Sequence, residues 1–357
     1  MECSHHGSAQ SPLARFCAEC GDRLSFGKDS QETIQRQLPY LIGSLICFAE
    51  IFVVCDSSGV LHALDASLSD LADPLPIADQ LKDLSLIANE GYIYLAHSRG
   101  ACAVDLIAWL RSRTATVVSL HSGRAVSCMS TSGDIVSIVA SAELSDSLMV
   151  WKGMTLTAQI PIPGLSRDFY TFPPVLCSRI AYVTQRSTDT VFVCDLNDCT
   201  TTVGRAGGSC LYATVWQEGI ACLVESNGTK RVVEFTKNGT TFLVPTVPID
   251  TTWFLGGTSP DLYMWGNGSS LTLVKAGRQR LMKESGNIGV PALADGQAIA
   301  IAQDGVSTEA ILIDLSTGAV GYTGRIGNFG FSDIACSGSR LVAGNGQILK
   351  SFPAEAR

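Results

Sequence analysis

EIFVVCDSSGVLHALDA, residues 50–66, is the stretch that decides the fold, because variants of it recur through the rest of the chain. It has an apolar run over residues 51–55, a polar cluster that ends in Gly59, and a second apolar run over residues 60–64. Apolar runs of this length around a glycine-containing polar cluster predict two strands joined by a tight turn. The stretch therefore predicts a β-hairpin that closes on Asp65, a residue that can bond turn amides.

Seven further hairpins of the same kind follow the first. The eight predicted hairpins occupy residues 50–65, 91–105, 134–151, 179–195, 219–235, 261–274, 297–314 and 339–352. A spacing of about 40 residues is typical of a propeller or a solenoid. The second strand of four hairpins ends in an aspartate, namely Asp65, Asp105, Asp195 and Asp314. Asn-Gly pairs at 227–228, 238–239, 267–268 and 345–346 are strong hairpin signals. Only residues 105–113 show a convincing helical period, so we expect an all-β fold.

The composition limits the classes of function. The chain has 357 residues, of which 46% are hydrophobic and 16% charged, with a mean hydropathy of +0.24, which suits many strands packed face to face. A net charge of −8 disfavours a protein that coats nucleic acid. The first ten residues lack the pattern of a secretory signal, and residues 41–55 are too short to span a bilayer comfortably. We therefore expect a cytoplasmic protein, whose cysteines outside the metal motif described next are mostly buried free thiols.

Four residues near the N-terminus have the spacing of a zinc site. Cys3 and His6 form a C-x2-H pair, and Cys17 and Cys20 form a C-x2-C pair ten residues later. Each pair presents two ligands from one turn, and two pairs complete a tetrahedral shell. Gly21 supports this because the chain must turn sharply past the metal. We expect one structural Zn²⁺ held by Cys3, His6, Cys17 and Cys20, with His5 as an alternative to His6.

The segment ARFCAECGDRL, residues 14–24, resembles the second half of the zinc ribbons found at the ends of bacterial regulatory and membrane-associated proteins. Phe16, Cys17, Cys20, Gly21 and Leu24 match that pattern, whereas His6 stands where such ribbons usually carry a cysteine. The resemblance covers about the first 25 residues. It implies a bacterial protein with a small zinc ribbon over residues 1–26.

The remaining residues, 27–357, are expected to form one propeller. The last predicted hairpin lacks a fourth strand, and TIQRQL, residues 33–38, is available to supply it. Such closure would remove two exposed sheet edges. We therefore predict an eight-bladed β-propeller, with seven blades as the alternative. The run GVLHALDA resembles the repeats of PQQ-like propellers, the quinoprotein dehydrogenase fold, and secondly WD40-like propellers. The resemblance covers residues 33–357 and implies a fold rather than a function.

No catalytic motif is apparent in the predicted propeller. The sequence has no adjacent cysteines of the kind found beside the quinone in quinoproteins, no phosphate-binding G-x-x-x-x-G-K and no G-x-S-x-G. His62, His97 and His121 are the histidines outside the N-terminal module. These three histidines could share a metal or catalytic site, but separate roles at the surface or rim are the favoured interpretation.

The densest basic cluster consists of Lys275, Arg278, Arg280 and Lys283. A solvated outer edge is the favoured interpretation of these residues, since charge there blocks edge-to-edge association, and binding of an acidic partner or of nucleic acid is the alternative. Trp151, Trp253 and Trp265 are expected to pack between blades.

These observations favour a non-enzymatic scaffold for protein–protein interaction, or a regulatory subunit, in a bacterial multiprotein assembly. The alternative is a nucleic-acid-associated regulator that uses the zinc ribbon and the basic cluster.

Overall fold

A computed structural model describes the chain over most of residues 33–353. The described residues are 33–77, 85–97, 99–112, 115–122, 125–132, 135–141, 146–166, 170–283, 287–288, 291–294, 296–303, 308–327, 333–337 and 340–353. Cys3, His6, Cys17 and Cys20, and with them the predicted ribbon over residues 1–26, lie outside this range. No helix among the described residues is long and apolar enough to cross a membrane.

The described strands form eight antiparallel sheets, which we number from the sheet that contains Ile42–Phe48, so that the sheet closed by the N-terminal strand Ile34–Gln37 comes last. Sheets 1 and 2 contain β2 (Ile42–Phe48), β3 (Ile51–Asp56), β4 (Val60–Leu64), β5 (Leu75–Pro76), then β6 (Ser85–Asn89), β7 (Tyr92–His97), β8 (Gly100–Asp105) and β9 (Val117–Ser122). Sheets 3 and 4 contain β10 (Ala125–Ser132), β11 (Ile135–Ser141), β12 (Asp146–Lys152), β13 (Thr155–Pro161), then β14 (Val175–Cys177), β15 (Ile180–Thr184), β16 (Thr190–Asp195) and β17 (Thr200–Arg205).

The second half of the chain repeats this plan. Sheets 5 and 6 contain β18 (Ser209–Trp216), β19 (Gly219–Ser226), β20 (Thr229–Thr236), β21 (Gly239–Val247), then β22 (Trp253–Gly256), β23 (Leu262–Gly266), β24 (Leu271–Lys275) and β25 (Arg278–Lys283). Sheet 7 contains β26 (Asn287–Ile288), β27 (Ala292–Ala294), β28 (Gln297–Gln303), β29 (Thr308–Asp314) and β30 (Val320–Gly327), with β26 and β27 both paired to β28. Sheet 8 contains β31 (Asp333–Ser337), β32 (Arg340–Asn345), β33 (Ile348–Pro353) and β1 (Ile34–Gln37).

The sheets are arranged in a ring, as in a β-propeller. The first strand of each sheet is the inner one: β2 contacts β6 and β31, and the inner strands β6, β10, β14, β18 and β22 contact one another in succession. Apolar clusters fill the space between neighbouring sheets, including the last and the first, where Val342 and Leu349 pack with Phe52 and Val54. The predicted all-β propeller fold is therefore confirmed.

The segment TIQRQL supplies the outer strand of sheet 8. Its residues form β1, which pairs antiparallel with β33 so that Ile34 lies opposite Ser351 and Gln37 opposite Ile348. The backbone amide of Leu38 then donates to the carbonyl of Gln347 at 2.7 Å. This pairing joins the two ends of the described chain and leaves sheet 8 with the same four-stranded plan as sheet 1.

The hairpin that decides the fold is sheet 1's central pair. β3 and β4 pair with Phe52 opposite Leu64 and Cys55 opposite Leu61, and both strands are almost entirely buried. The helical period predicted over residues 105–113 is the short helix α1 (Leu106–Ser112). The indole of buried Trp109 on α1 donates to the carbonyl of Asp73 at 3.0 Å, so the helix ties sheet 2 to sheet 1.

The predicted packing of the tryptophans between blades is confirmed. Trp151 lies between sheets 2 and 3, Trp265 between sheets 5 and 6, and Trp253 between sheets 6 and 7. Burying an aromatic side chain of this size stabilises the fold by about 3 kcal/mol or more. The cysteines of the apolar runs, Cys55, Cys102, Cys194 and Cys222, are buried free thiols, as expected. Burial raises the pKa of Cys55 to about 12, so this thiol stays protonated.

The antiparallel plan gives the ring two distinct faces. Within each sheet the turn between the second and third strands lies at the same end as the connection from the outer strand to the next inner strand. We call the face with these connections the connector face. The opposite face carries the turns between the first and second strands and between the third and outer strands. The residues that connect the sheets can therefore be assigned to a face from the topology alone.

Candidate functional site

The described histidines do not form a metal centre. No group of three His, Cys, Asp or Glu side chains within the described residues is placed to hold a metal ion. His62 Nε2 lies 3.0 Å from Asp56 Oδ2, and both side chains are buried. His97 is also buried and His121 is half-buried, so the surface or rim roles expected for the histidines are wrong for His62 and His97.

The Asp56–His62 pair organises one turn of the connector face. Although burial alone would raise the pKa of Asp56, hydrogen bonds from the Ser58 hydroxyl and from His62 hold this pKa below its usual value. Asp56 Oδ1 also accepts from the amides of Ser58 and Val60, at 2.9 and 3.1 Å. The carboxylate is thus satisfied by its own hairpin, which indicates a structural role.

The basic cluster lies on the outer part of sheet 6. Arg278 and Arg280 are exposed on β25, whose free edge is the outer edge of that sheet, and Lys283 is the last residue of the strand. The ammonium group of Lys275 donates to the carbonyl of Thr317 in sheet 7. The structure therefore places Arg278 and Arg280 on an outer edge, where charge discourages edge pairing.

The exposed large apolar side chains of the described residues fall into three groups. Leu156, Val203 and Leu281 lie on outer strands, and Val215 and Leu293 lie on inner strands. The other four all lie in connections on the connector face: Tyr40, Leu41, Tyr170 and Ile249. They lie in three separate connections, between sheets 8 and 1, 3 and 4, and 5 and 6, so a partner that spans this face would contact all of them.

The connection that carries Tyr40 and Leu41 is fixed on both sides. The carboxamide of Gln347, in the nearby turn of sheet 8, donates to the carbonyl of Pro39 at 2.8 Å. The amide of Ser57, in the nearby turn of sheet 1, donates to the carbonyl of Leu41 at 2.7 Å. The two apolar side chains are exposed although their backbone is anchored.

The connection that carries Tyr170 is held by Gln185, which follows β15 and is only 2% exposed. The carboxamide nitrogen of Gln185 donates to the carbonyl of Ser166 at 2.5 Å and to the hydroxyl of Thr171 at 3.1 Å. Its carboxamide oxygen accepts from the amide of Ser166 at 3.0 Å. The amide of Arg186 also donates to the carbonyl of Tyr170 at 2.8 Å. Both ends of this amide side chain thus fix the loop.

The connection that carries Ile249 has the same kind of anchor. The carboxamide nitrogen of Asn267 donates to a carboxylate oxygen of Asp250, while its oxygen accepts from the amides of Ser269 and Ser270, each at 2.7 Å. The ammonium group of Lys230 donates to the carbonyl of Thr251 at 2.9 Å. We call Gln185, Asn267 and Gln347 the carboxamide anchors, because each bonds a connection that exposes apolar side chains.

An aromatic run leads from the rim of the connector face towards the inner strands. Tyr170 is 63% exposed, and its ring meets that of Phe172 edge-on with centroids 5.5 Å apart. Phe172 in turn meets Tyr212 edge-on at 6.1 Å. Edge-to-face pairs at these separations are favourable and orient the rings. The aromatic run, Tyr170–Phe172–Tyr212, is therefore a set of oriented rings in which Tyr170 is exposed and Phe172 is buried.

Tyr212 reaches this position because of a β-bulge. The register between β18 and β19 shifts between Cys210 and Tyr212, which leaves Leu211 unpaired. A bulge re-aims the neighbouring side chain, and Tyr212 contacts apolar residues at three of the sheet interfaces. Burial, together with the neighbouring phenol of Tyr170, raises the pKa of Tyr212 to about 12, so the ring stays uncharged.

The opposite face has a different chemistry, set by the aspartates that the sequence places at the ends of third strands. Each carboxylate accepts from nearby amides: Ser67 and Ser69 for Asp65, Ala108 for Asp105, Asn197 for Asp195, and Ser316 and Thr317 for Asp314. The prediction that these aspartates bond turn amides is confirmed. Hydrogen bonds from Ser316 and Thr317 lower the pKa of Asp314 to about 2.

Sequence reasoning missed the aromatic run and the carboxamide anchors. Tyr170 and Phe172 lie in a connection outside the repeated hairpins, so periodicity says nothing about them. The Asn-Gly pair at 227–228 occupies a turn with positive φ at both residues, as the hairpin signal predicts. The pair at 267–268 differs, because the Asn267 side chain caps its own turn and bonds Asp250. The sequence signal that could have indicated these anchors is an Asn or Gln in the turn between the second and third strands, as at Gln185, Asn267 and Gln347.

Comparison with known proteins gives the fold alone. The sequence matches no protein-family model and no curated protein. Among solved structures, the computationally designed Ika8 protein is similar with a TM-score of 0.64 and 12% identity, covering 89% of this chain and 98% of that chain. Sqt1 of Saccharomyces cerevisiae is similar with a TM-score of 0.62 and 12% identity, covering 90% of this chain and 98% of Sqt1.

BamB from Moraxella catarrhalis is also similar in structure. Its TM-score is 0.56 at 14% identity, and the match covers 90% of this chain and 98% of BamB. This likeness supports the PQQ-like propeller resemblance of the sequence at the level of fold. Identities this low say nothing about which residues bind a partner.

Proposed function

We propose that this chain is a non-enzymatic scaffold that binds a partner protein on its connector face. The observation that carries this proposal is the set of four exposed apolar side chains, Tyr40, Leu41, Tyr170 and Ile249, in connections on that face. Apolar and aromatic side chains at the centre of an interface supply most of its binding free energy. The propeller likeness to Sqt1 and BamB is consistent with a scaffold.

The carboxamide anchors strengthen the proposal. Binding costs free energy when loops and side chains must be ordered, and a surface that is already ordered avoids part of that cost. Gln185, Asn267 and Gln347 fix the backbone beside the exposed residues without adding net charge. A surface that combines exposed apolar groups with fixed loops is suited to binding a protein.

A paired variant experiment tests this function. Tyr170→Glu with Ile249→Glu should abolish recovery of the partner that the tagged wild-type chain isolates from its native cells. The matched control is Ser67→Glu with Asn238→Glu, which adds the same charge to turns of the opposite face and should leave recovery unchanged. Equal recovery by both double variants, each folded, would contradict the proposal.

The ring of eight sheets supports the predicted eight blades rather than seven, and we propose that each sheet is one blade. An apolar cluster occupies each of the eight interfaces, including that between sheets 8 and 1. Residues 27–357 would then be one closed domain. A crystal structure with a different number of radial sheets would contradict this count.

We also propose that Cys3, His6, Cys17 and Cys20 hold one structural Zn²⁺ in a ribbon over residues 1–26. Three thiolates and one imidazole are a donor set that Zn²⁺ prefers, in a tetrahedral site closed to substrate. Elemental analysis should find one zinc per chain, and Cys17→Ser should remove it while the propeller keeps its thermal transition. Stoichiometric zinc retained in Cys17→Ser would place the metal elsewhere.

The resemblance of residues 14–24 to bacterial zinc ribbons favours a cytoplasmic bacterial multiprotein assembly as the setting of this scaffold. The alternative, a nucleic-acid-associated regulator, has the exposure of Arg278 and Arg280 in its favour. Binding of labelled RNA or DNA that weakens steeply with salt, and further on Arg278→Ala with Arg280→Ala, would support it. The net charge of −8 makes the protein-binding function the better supported of the two.

A further inference from the structure

We infer that the partner presents an acidic segment with an apolar side chain, and that this segment binds at Tyr170, the exposed end of the aromatic run, beside Arg186. This inference rests on the proposed function, because it names the chemistry that the connector face would recognise. It concerns the part of that face formed by sheets 4 and 5, which carry Phe172, Arg186 and Tyr212.

The apolar part of the recognition comes from Tyr170. Its ring is 63% exposed, yet its edge-on contact with Phe172 and the Gln185 hydrogen bonds to Ser166 and Thr171 hold it in place. A tyrosine has few rotatable bonds and offers a large apolar surface at small entropic cost. A partner's aromatic or branched aliphatic side chain can therefore cover this ring without first ordering it.

The charged part comes from Arg186, which is exposed and adjoins Tyr170. The amide of Arg186 donates to the carbonyl of Tyr170 at 2.8 Å, so the two residues are held side by side. No ion pair of Arg186 is found within the part of the chain that the structure describes. A guanidinium binds a carboxylate through two parallel hydrogen bonds, which gives both affinity and orientation.

The neighbouring charges also favour an anionic segment. Arg205 and Asp189 pair with each other, so their charges cancel. Arg231 donates to the carbonyl of Gly207 at 2.7 Å, and Lys230 donates to the carbonyl of Thr251, which places two more cations on this part of the connector face. Glu225 lies opposite Lys230 in the strand register. With Asp250 beside Thr251 included, the described cations Arg186, Arg205, Lys230 and Arg231 outnumber the described anions Asp189, Glu225 and Asp250 by one, although the whole chain carries −8.

Among the residues that the structure describes, the opposite face carries four aspartates that disfavour such a segment. Asp65, Asp105, Asp195 and Asp314 carry negative charge on that face and would repel it. These carboxylates accept hydrogen bonds within their own turns, which fixes them there. Charge thus directs an acidic segment to the aromatic run rather than to the opposite face.

Fluorescence anisotropy with labelled ten-residue peptides tests the inference on the full chain. The probe is an acetylated peptide with one Phe flanked by Glu residues; the comparison peptides replace every Glu by Lys, or the Phe by Ser. We expect the acidic Phe peptide to bind at least about tenfold more tightly than either comparison peptide, as loss of a hot-spot contact or charge reversal requires.

Three variants locate the binding. Tyr170→Ser and Arg186→Gln should each weaken the acidic Phe peptide by about tenfold, and Arg186→Gln should also flatten the dependence of binding on salt. Arg278→Gln removes the same charge from the outer edge of sheet 6 and should change nothing. All three positions are exposed, so thermal unfolding should remain that of the wild type.

Several outcomes would overturn the inference. One is that the lysine peptide binds as tightly as the acidic one, and another is that no peptide binds at all. A third is that Arg278→Gln weakens binding of the acidic Phe peptide as much as Arg186→Gln does. A failure of this inference can be told from a failure of the proposed function. If the connector-face variants lose the native partner but the acidic peptide does not bind, the proposed function stands and only the acidic chemistry is wrong.

Discussion

The connector face and the opposite face are built from the same strands, but they hold their loops in different ways. Turns of the opposite face are closed by carboxylates, such as that of Asp314, which accept hydrogen bonds from amides two or three residues later. On the connector face, carboxamides such as that of Gln185 bond a neighbouring connection instead. The aspartate-capped turns of the opposite face thus satisfy their polar groups locally, as the Asp56 turn of the connector face also does. The carboxamide anchors differ, because each also holds a connection that exposes apolar side chains.

This difference indicates how one repeated hairpin can serve two purposes. A short capped turn ends a strand at low cost and exposes polar atoms to water. A longer connection can expose an aromatic ring, but only an anchored connection presents it in one position. Substitutions on one face at a time separate these two purposes.

Trp109→Ala should destabilise the fold without affecting binding at the connector face. The buried indole packs between sheets 1 and 2 on the side of the opposite face and donates to the carbonyl of Asp73. Its removal should lower the free energy of unfolding by about 3–5 kcal/mol. Urea denaturation measures this loss, and Arg111→Ala on the exposed side of α1 is the control. A loss below about 1 kcal/mol would show that α1 contributes little to the joint between the two sheets.

Gln185→Ala should lower both the stability of the fold and the binding of a partner. Loss of a turn cap on the opposite face should lower stability alone. The variant leaves the amide of Ser166 and the hydroxyl of Thr171 without their carboxamide partner. Loss of these buried hydrogen bonds should cost about 1–3 kcal/mol. Hydrogen exchange at the amides of residues 170–172 should quicken. Gln279→Ala, at an exposed position of β25, should leave the free energy of unfolding and the hydrogen exchange unchanged. If Gln185→Ala also leaves both unchanged, the anchor role is wrong.

Asp314→Ala should have a smaller effect, confined to stability and dependent on pH. The loss of the carboxylate that caps its turn should cost about 1 kcal/mol at neutral pH. Because folding lowers the pKa of Asp314 from 3.8 to about 2, its contribution is present above about pH 4 and is lost as the pH falls towards 2. Denaturation at pH 2 and pH 7 should show the wild type approaching the variant at low pH. Asp198→Ala, which removes an exposed carboxylate from a turn of sheet 4 on the same face, should not reproduce this convergence.

Tyr170→Ser should have the smallest effect on stability of the four. The side chain is mostly exposed, so the free energy of unfolding should change by less than about 0.5 kcal/mol. Partner recovery should nevertheless fall. A loss of stability comparable to that of Gln185→Ala would mean that the ring supports the fold rather than a partner.

Much of the ring was predictable from residues that repeat. The apolar runs of residues 51–55 and 60–64 correspond to β3 and β4, and the helical period over residues 105–113 corresponds to α1. These features follow from local periodicity and from turn chemistry, which a single sequence displays. The aspartate caps were predictable for the same reason, since each bonds residues close to it in the chain.

The candidate site was not predictable, because it depends on contacts between distant residues. Gln185 bonds Ser166 across 19 positions, and Gln347 bonds Pro39 across 308. The bulge that aims Tyr212 is a change of register that no residue pattern announces. The exposure of Tyr170 likewise follows from where its loop is held. The predicted zinc ligands Cys3, His6, Cys17 and Cys20 show the reverse case, since their spacing predicts a site that lies outside the described residues.

Site-specific photocrosslinking in the native cell tests whether a partner binds the connector face. A photoreactive phenylalanine placed in turn at positions 40, 170 and 249 reports on the connector face, and one at positions 67, 198 and 238 reports on the opposite face. We expect the same partner to be crosslinked from the connector-face positions and not from the others. Crosslinks to that partner from the opposite face, with none from positions 40, 170 and 249, would contradict the account.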